Sequence, residues 1–281
     1  MIHHPERQFA VADSVDKAVA ARVGGAAVLA GGTWMMRDPR RGQDLPHSVV
    51  SISGIADMSG LAIEADRVVI GACVTHAALA KALSGIAGLE CVVAAAEGAA
   101  NPAIRRAATI GGNLCTVDFP AADLVPAFLA HGAMVELATA EQAMIIDMTE
   151  FLERRRRLLN TAILTRVHLR RTVVASAHAR LPLRKAGDYP VAIVSVAIDE
   201  GGEIRIAVGS VEAQARRWTA LEAALEGCPT ATLADVGVLA RDHMDFTGRD
   251  GVEAEGWYRC QVLPALVRRA FASLPGPEKR A

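Results

Sequence analysis

The chain of 281 residues is rich in Ala, Val and Leu, has 4% aromatic residues and carries a formal net charge of −1, which fits one large soluble domain or two to three small ones. That charge excludes a general attraction to nucleic acid or a membrane surface, and no apolar run is long enough to span a bilayer. Five scattered cysteines form no C-x-x-C, which excludes a zinc ribbon, an iron–sulfur site and a disulfide framework, and no metal site is assigned.

The start, Met1-Ile2-His3-His4-Pro5, lacks a charged head followed by an apolar stretch, so no signal peptide and a cytoplasmic location are expected. Ser14 to Val23 reads as a helix capped by Asp13 or Ser14, with Val15, Ala18, Val19 and Val23 on one face and Gly24-Gly25 at its end. Ala26 to Ala30 is a short apolar strand that runs into Gly31-Gly32, and Val49 to Ile52 is a second strand. Between them Arg37 to Gly42 reads as a polar loop, and the whole as a small α/β unit.

A second unit begins near Asp57. Leu61 to Glu64 and Val68 to Gly71 read as a hairpin around Ala65-Asp66-Arg67, and Thr75 caps a helix through Leu83. Ile86 to Ala100 reads as one long helix stopped by Asn101-Pro102. After a second glycine pair, Gly111-Gly112, come a helix from Asp123 to Ala130 and strands at Met134 to Leu137 and Met144 to Ile146. The run Arg154 to Arg157 reads as a solvated face or a partner contact, and Ala162 to Leu169 as the strand that leaves the unit. Val191 to Ile198 and Ile204 to Val208 flank Asp199-Glu200-Gly201-Gly202, a hairpin signal. Helices are expected near Thr219 to Leu225, Leu233 to Arg241 and Glu255 to Leu274, with a loose tail from Pro275.

The chemistry concentrates at the glycine pairs, Ala30-Gly31-Gly32-Thr33 and Thr109-Ile110-Gly111-Gly112-Asn113. A Gly-Gly step reaches positive φ, lets a ligand approach closely and turns successive N–H groups the same way, a geometry that binds phosphate. Two such turns suggest two loops closing on one diphosphate; ordinary tight turns are the rival reading. Neither pair sits in G-x-G-x-x-G or is followed by Lys-Ser/Thr, so neither a Rossmann site nor a P-loop is written.

These residues resemble the flavoprotein family of the molybdenum hydroxylases, the medium subunits of xanthine dehydrogenase and carbon monoxide dehydrogenase. Ala30-Gly31-Gly32-Thr33 looks like its first flavin loop, and Ile104 to Asn113 is close to its I-R-N-x-A-T-I-G-G-N. Pro120 to Pro126 resembles P-x-x-D-L-x-P, and Trp257-Tyr258-Arg259 resembles its Y-R helix start. Departures are Trp34 where an acidic residue is usual, Arg106 for Asn, one extra residue between Asn113 and Asp123, and Asp188-Tyr189 where an arginine usually follows the family lysine.

The resemblance implies an α+β chain of the FAD-binding PCMH-type fold: two α/β subdomains, 1–55 and 56–172, and a C-terminal antiparallel sheet plus helices, 173–281. It implies that Ala30, Gly31, Gly32 and Thr33 wrap the FAD pyrophosphate while Thr109, Ile110, Gly111, Gly112 and Asn113 close on it. Asp123 would accept from an adenosine hydroxyl, Ile163 and Leu164 would pack on a ring face, and Lys185 would sit near the flavin edge. No catalytic residue is assigned. The partners implied are a molybdopterin-binding large subunit and a 2Fe-2S small subunit, with NAD+, a quinone or oxygen as acceptor. A stand-alone FAD-dependent reductase and a flavin-free assembly scaffold stay open. For Asp123 a helix cap, for Ile163 and Leu164 core packing, and for Lys185 solvation are the rival readings.

Overall fold

In the computed structural model, which describes residues 7–185, 187–228 and 232–276, three sheets follow one another along the chain. The expectations for Met1–Pro5 and most of the tail lie outside the described residues. The first sheet is parallel, ordered β1-β3-β2 from β1 (Gln8–Val11), β2 (Ala27–Leu29) and β3 (Ser48–Ser51). Helix α1 (Val15–Val23) crosses between β1 and β2; Ser14 Oγ accepts from Lys17 N–H at its start, and Ala18 and Val19 are its buried residues. Strand β1 escaped the sequence reading because all four of its residues are exposed, so no alternation marks it. The expected loop at Arg37 to Gly42 is instead a 3-10 helix, Met35–Arg41, closed by Gly42 at φ 73°.

The second sheet is antiparallel, ordered β4-β5-β8-β6-β7 from β4 (Leu61–Ile63), β5 (Arg67–Gly71), β6 (Met134–Ala138), β7 (Ala143–Asp147) and β8 (Ile163–Arg170). Six helices join β5 to β8: α2 (His76–Leu83), α3 (Glu90–Gly98), α4 (Pro102–Ala107), α5 (Ile110–Cys115), α6 (Leu124–His131) and, after β7, α7 (Met148–Leu158). The long helix expected from Ile86 begins only at Glu90, because Gly85 and Gly88 take φ values of 80° and 82°. Asn101-Pro102 does not merely stop it. Asn101 Oδ1 accepts from Ile104 N–H at 3.0 Å and Pro102 opens the first turn of α4.

The arginine run of α7 divides. Arg156 and Arg157 are exposed, but Arg155 is buried and donates to Leu114 O at 2.9 Å and Val117 O at 3.1 Å, clamping the end of α5.

The third sheet is antiparallel, ordered β12-β11-β10-β9 from β9 (Val173–Pro182), β10 (Pro190–Asp199), β11 (Ile204–Gly209) and β12 (Arg216–Arg217). Helices α8 (Thr219–Glu226), α9 (Leu233–Asp242), α10 (Gly256–Gln261) and α11 (Leu263–Ala272) follow. The single helix expected from Glu255 thus breaks at Val262, just before Pro264. Arg259 of the Trp257-Tyr258-Arg259 motif is fully buried: it donates to Val191 O at 2.6 Å, Arg249 O at 2.9 Å and Ser210 O at 3.1 Å, and pairs with Glu253. It bolts α10 to the third sheet.

One hydrophobic core runs through the first and second sheets, and another fills the third sheet and its helices. Helix α6, buried at all eight positions, packs against α3 and α5 and against β10 and β11. Among the described residues no helix is long and apolar enough to cross a membrane, and no group of His, Cys, Asp and Glu could hold a metal.

Candidate functional site

The first glycine pair links β2 to the 3-10 helix. Gly32 sits at φ 70°, a conformation that favours glycine. A Cβ at Gly31 would overlap the carbonyl oxygen of Ala107 and lie 2.7 Å from its carbon, so this loop lies flush on the last residue of α4, two residues before Thr109. The glycine segments therefore meet. Among the described residues, the N–H groups of Gly31, Gly32 and Thr33 find no acceptor within the chain.

The second pair is not a tight turn but the first turn of α5. Thr109 caps that helix, its Oγ1 accepting from Gly112 N–H at 3.1 Å. Ile110 N–H donates to Val74 O at 2.9 Å, Gly111 N–H to Ala72 O at 2.8 Å and Asn113 N–H to Thr109 O at 3.0 Å. These four amides are bonded inside the protein, which leaves Thr109 N–H as the amide of this segment without an acceptor among the described residues. The segment also leaves a side-chain atom unpaired: Asn113 Oδ1 is buried without a partner among the described residues.

Both segments border one cleft of about 1000 Å³, at the large end for a small-molecule site. Ala30, Gly31, Gly32, Thr33, Thr109, Gly111, Gly112, Asn113, Asp123, Ile163 and Leu164 line it. Ile110 does not; it is fully buried in the core. Lys185 does not either; it is exposed, and Gly187, Asp188 and Tyr189 reach the cleft in its place. The lining holds five arginines, Arg22, Arg37, Arg40, Arg105 and Arg180, against Asp123 and Asp188, an excess of positive charge suited to a diphosphate. An aromatic cluster stands at its side: Trp34 lies 4.6 Å from Phe119 between ring centroids, Phe119 lies 5.4 Å from Tyr189, and Arg37 donates to the Tyr189 hydroxyl. Trp34, read only as a departure, is thus a wall residue. The arginines were missed because those of the 3-10 helix look like loop solvation.

Asp123 stands at the N-terminus of α6 but makes no capping bond. It is 4% exposed, and its Oδ1 accepts from Arg180 Nε at 2.8 Å with His178 Nε2 at 3.8 Å. Arg180 also donates to Asp188 O at 2.8 Å. Both contacts fall on Oδ1, so Oδ2 has no partner among the described residues. Ile163 and Leu164, at the start of β8, are almost fully buried and give the cleft an apolar wall.

His76, which the sequence reading passed over, also lines the cleft, with both ring nitrogens buried and without a partner among the described residues. Burial pushes its pKa down to about 4; the Asp123 carboxylate pulls the other way and Arg105 reinforces the fall. The ring is therefore neutral at neutral pH.

The unpaired amides, the arginine excess and the orphaned polar atoms fit a large, polar, doubly anionic ligand with an apolar ring. FAD has that chemistry. The sequence matches the family described as FAD binding domain in molybdopterin dehydrogenase over residues 6–170. Comparison with curated proteins by sequence found no match. Among solved structures, the chain is similar to a carbon monoxide dehydrogenase from Hydrogenophaga pseudoflava that lacks the Mo-pyranopterin moiety, with 25% identity over 97% of this chain and 98% of that one and a TM-score of 0.86. The fold is also shared with a reconstituted CO dehydrogenase from Oligotropha carboxidovorans, 24% identical over 97% and 98% with a TM-score of 0.85. Quinoline 2-oxidoreductase from Pseudomonas putida 86 shares it too, 18% identical over 96% and 97% with a TM-score of 0.83. With more than half its length matched, the chain belongs to the FAD-binding family of the molybdopterin dehydrogenases, as an oxidoreductase flavoprotein whose cofactor is FAD.

Proposed function

We propose that this chain carries the FAD of a molybdopterin-dependent hydroxylase or dehydrogenase complex and passes electrons between its partners. The observation that carries the reading is the cleft where the two glycine segments meet, with unpaired amides at one and an orphaned carboxamide at the other. In this reading the N–H groups of Gly31, Gly32 and Thr33 hold the pyrophosphate, helped by the arginines around the cleft. Asn113 reaches the cofactor through its side chain, Asp123 offers Oδ2 to a sugar hydroxyl, and Ile163 and Leu164 pack on a ring face. Ile110 and Lys185, off the cleft, take no part.

Bound FAD supplies the chemistry: it accepts electrons singly or in pairs. With no cluster-type cysteine spacing and no metal group among the described residues, the reading assigns the other centres to other chains. A molybdopterin-binding large subunit would oxidise substrate, a 2Fe-2S small subunit would relay electrons, and NAD+, a quinone or oxygen would take them from the flavin.

Expression beside its neighbouring genes tests this. A yellow complex of three different chains, with FAD released from this one on denaturation, is the expected result. A purified chain that stays colourless and takes up no added FAD overturns the cofactor role. One that binds FAD and turns over NAD(P)H alone, without partners, favours a self-contained reductase.

A further inference from the structure

His76 differs from the other buried histidines. Like His131 it is almost wholly buried and both its ring nitrogens lack a partner among the described residues, yet of the described histidines only His76 lines the cleft. A buried polar group left unsatisfied is costly, and its persistence calls for a partner other than the described residues. The placement is also built. Thr75 Oγ1 caps α2 by accepting from Ala78 N–H at 3.2 Å, and His76 N–H donates to Ala108 O at 2.9 Å. Thr75 pairs with Thr109 in a β-bridge, so the imidazole is tied to the segment that carries the second glycine pair. Its charged neighbours are Asp123 and Arg105.

An uncharged imidazole offers one donor and one acceptor. A phosphate oxygen only accepts and would leave one nitrogen bare; a hydroxyl both gives and takes, and would satisfy the ring. We propose that His76 is a cofactor-binding residue, its imidazole hydrogen-bonding a sugar-type hydroxyl of the bound dinucleotide. The proposal rests on the cleft being the FAD site.

The test is titration of the flavin-stripped full chain with FAD, followed by quenching of flavin fluorescence. His76→Phe keeps the ring but loses both hydrogen-bonding atoms, and is expected to weaken binding by about tenfold or more. His76→Gln, which restores a donor and an acceptor, is expected to recover most of that loss. Repeating the titrations with FMN by fluorescence and with ADP by calorimetry assigns the hydroxyl: a loss with FMN marks the ribityl chain, a loss with ADP the ribose. A wild-type chain that takes up no FAD overturns the cofactor assignment itself. A wild-type chain that binds, beside a His76→Phe that binds equally well, overturns only the role of His76, as does a His76→Gln no better than Phe. Nitrogen-15 NMR of the wild-type ring needs no variant to fold. Its signals should move on saturation with FAD, and unmoved signals overturn the proposal.

Discussion

The first glycine pair and the second have the same two residues, yet their amides face opposite fates. At Gly31-Gly32 the strand has ended and the 3-10 helix has not begun, so among the described residues no carbonyl accepts from these N–H groups and they stay free for a ligand. At Gly111-Gly112 the chain is entering α5 alongside the segment after β5. The carbonyls of Ala72 and Val74 and the Thr109 side chain take the amides instead. Glycine serves close approach at both places, but at the first the neighbour is Ala107 and at the second it is Ala72. A glycine pair in a sequence therefore marks tightness, and only the surrounding acceptors decide whether it marks a phosphate site.

The largest effect expected from breaking this arrangement is at Gly31. Its Cβ would collide with backbone, which cannot rotate away, and the two segments would separate. Gly31→Ala should cost about 3 kcal/mol or more and abolish FAD retention together, read by thermal melting and by flavin content. A variant that melts like wild type would mean the loops are not locked as described.

Gly111→Ala is expected to do less and to separate what Gly31→Ala couples. Its Cβ would stand 2.9 Å from Ala72 Cβ and 3.0 Å from Ala72 O, a crowding cost of about 1–3 kcal/mol partly offset by alanine's better helix propensity. Because the crowding faces Ala72, the folded variant should bind FAD with nearly wild-type affinity in a fluorescence titration. A large loss of affinity with unchanged stability would restore the phosphate cradle at the second pair.

How much of this was legible in the sequence depends on the range of the signal. The hairpin at Asp66 and the caps at Ser14 and Thr75 were readable because turn and cap chemistry is local. Helices α4 and α5 were not, since six residues are too few to show a period, and Asn101-Pro102 signals a start as readily as a stop. The positions Ala30 to Thr33, Asp123, Ile163 and Leu164, singled out by the family resemblance, line one cleft. Arg155 and Arg259 were unreadable as clamps because their acceptors, Leu114 O and Val191 O, lie 41 and 68 residues away. The occupied amides of the second pair were hidden for the same reason: Ala72 and Val74 are distant in sequence and adjacent only in the fold.

Thr109→Ala removes the cap of α5 and frees the Gly112 amide. It should lower stability by about 1 kcal/mol, read as a denaturant midpoint shift at constant m-value. FAD affinity should hold or rise slightly, because a donor on the cleft wall becomes available. A fall in affinity much larger than the loss of stability would show that the hydroxyl itself touches the cofactor.

Asn113→Ala has the smallest expected effect on the fold and sharpens the comparison most. Its Oδ1 makes no bond among the described residues, so deleting it removes an unsatisfied acceptor instead of a contact. The flavin-free protein should melt within about 0.5 kcal/mol of wild type, or slightly above it. If the second pair serves the cofactor through this side chain and not through its backbone, FAD affinity should still fall by about tenfold. Stability and affinity would then move independently at Asn113 and together at Gly31. An Asn113→Ala protein with both properties unchanged would leave the second segment as scaffold alone, with the first pair holding the pyrophosphate unaided.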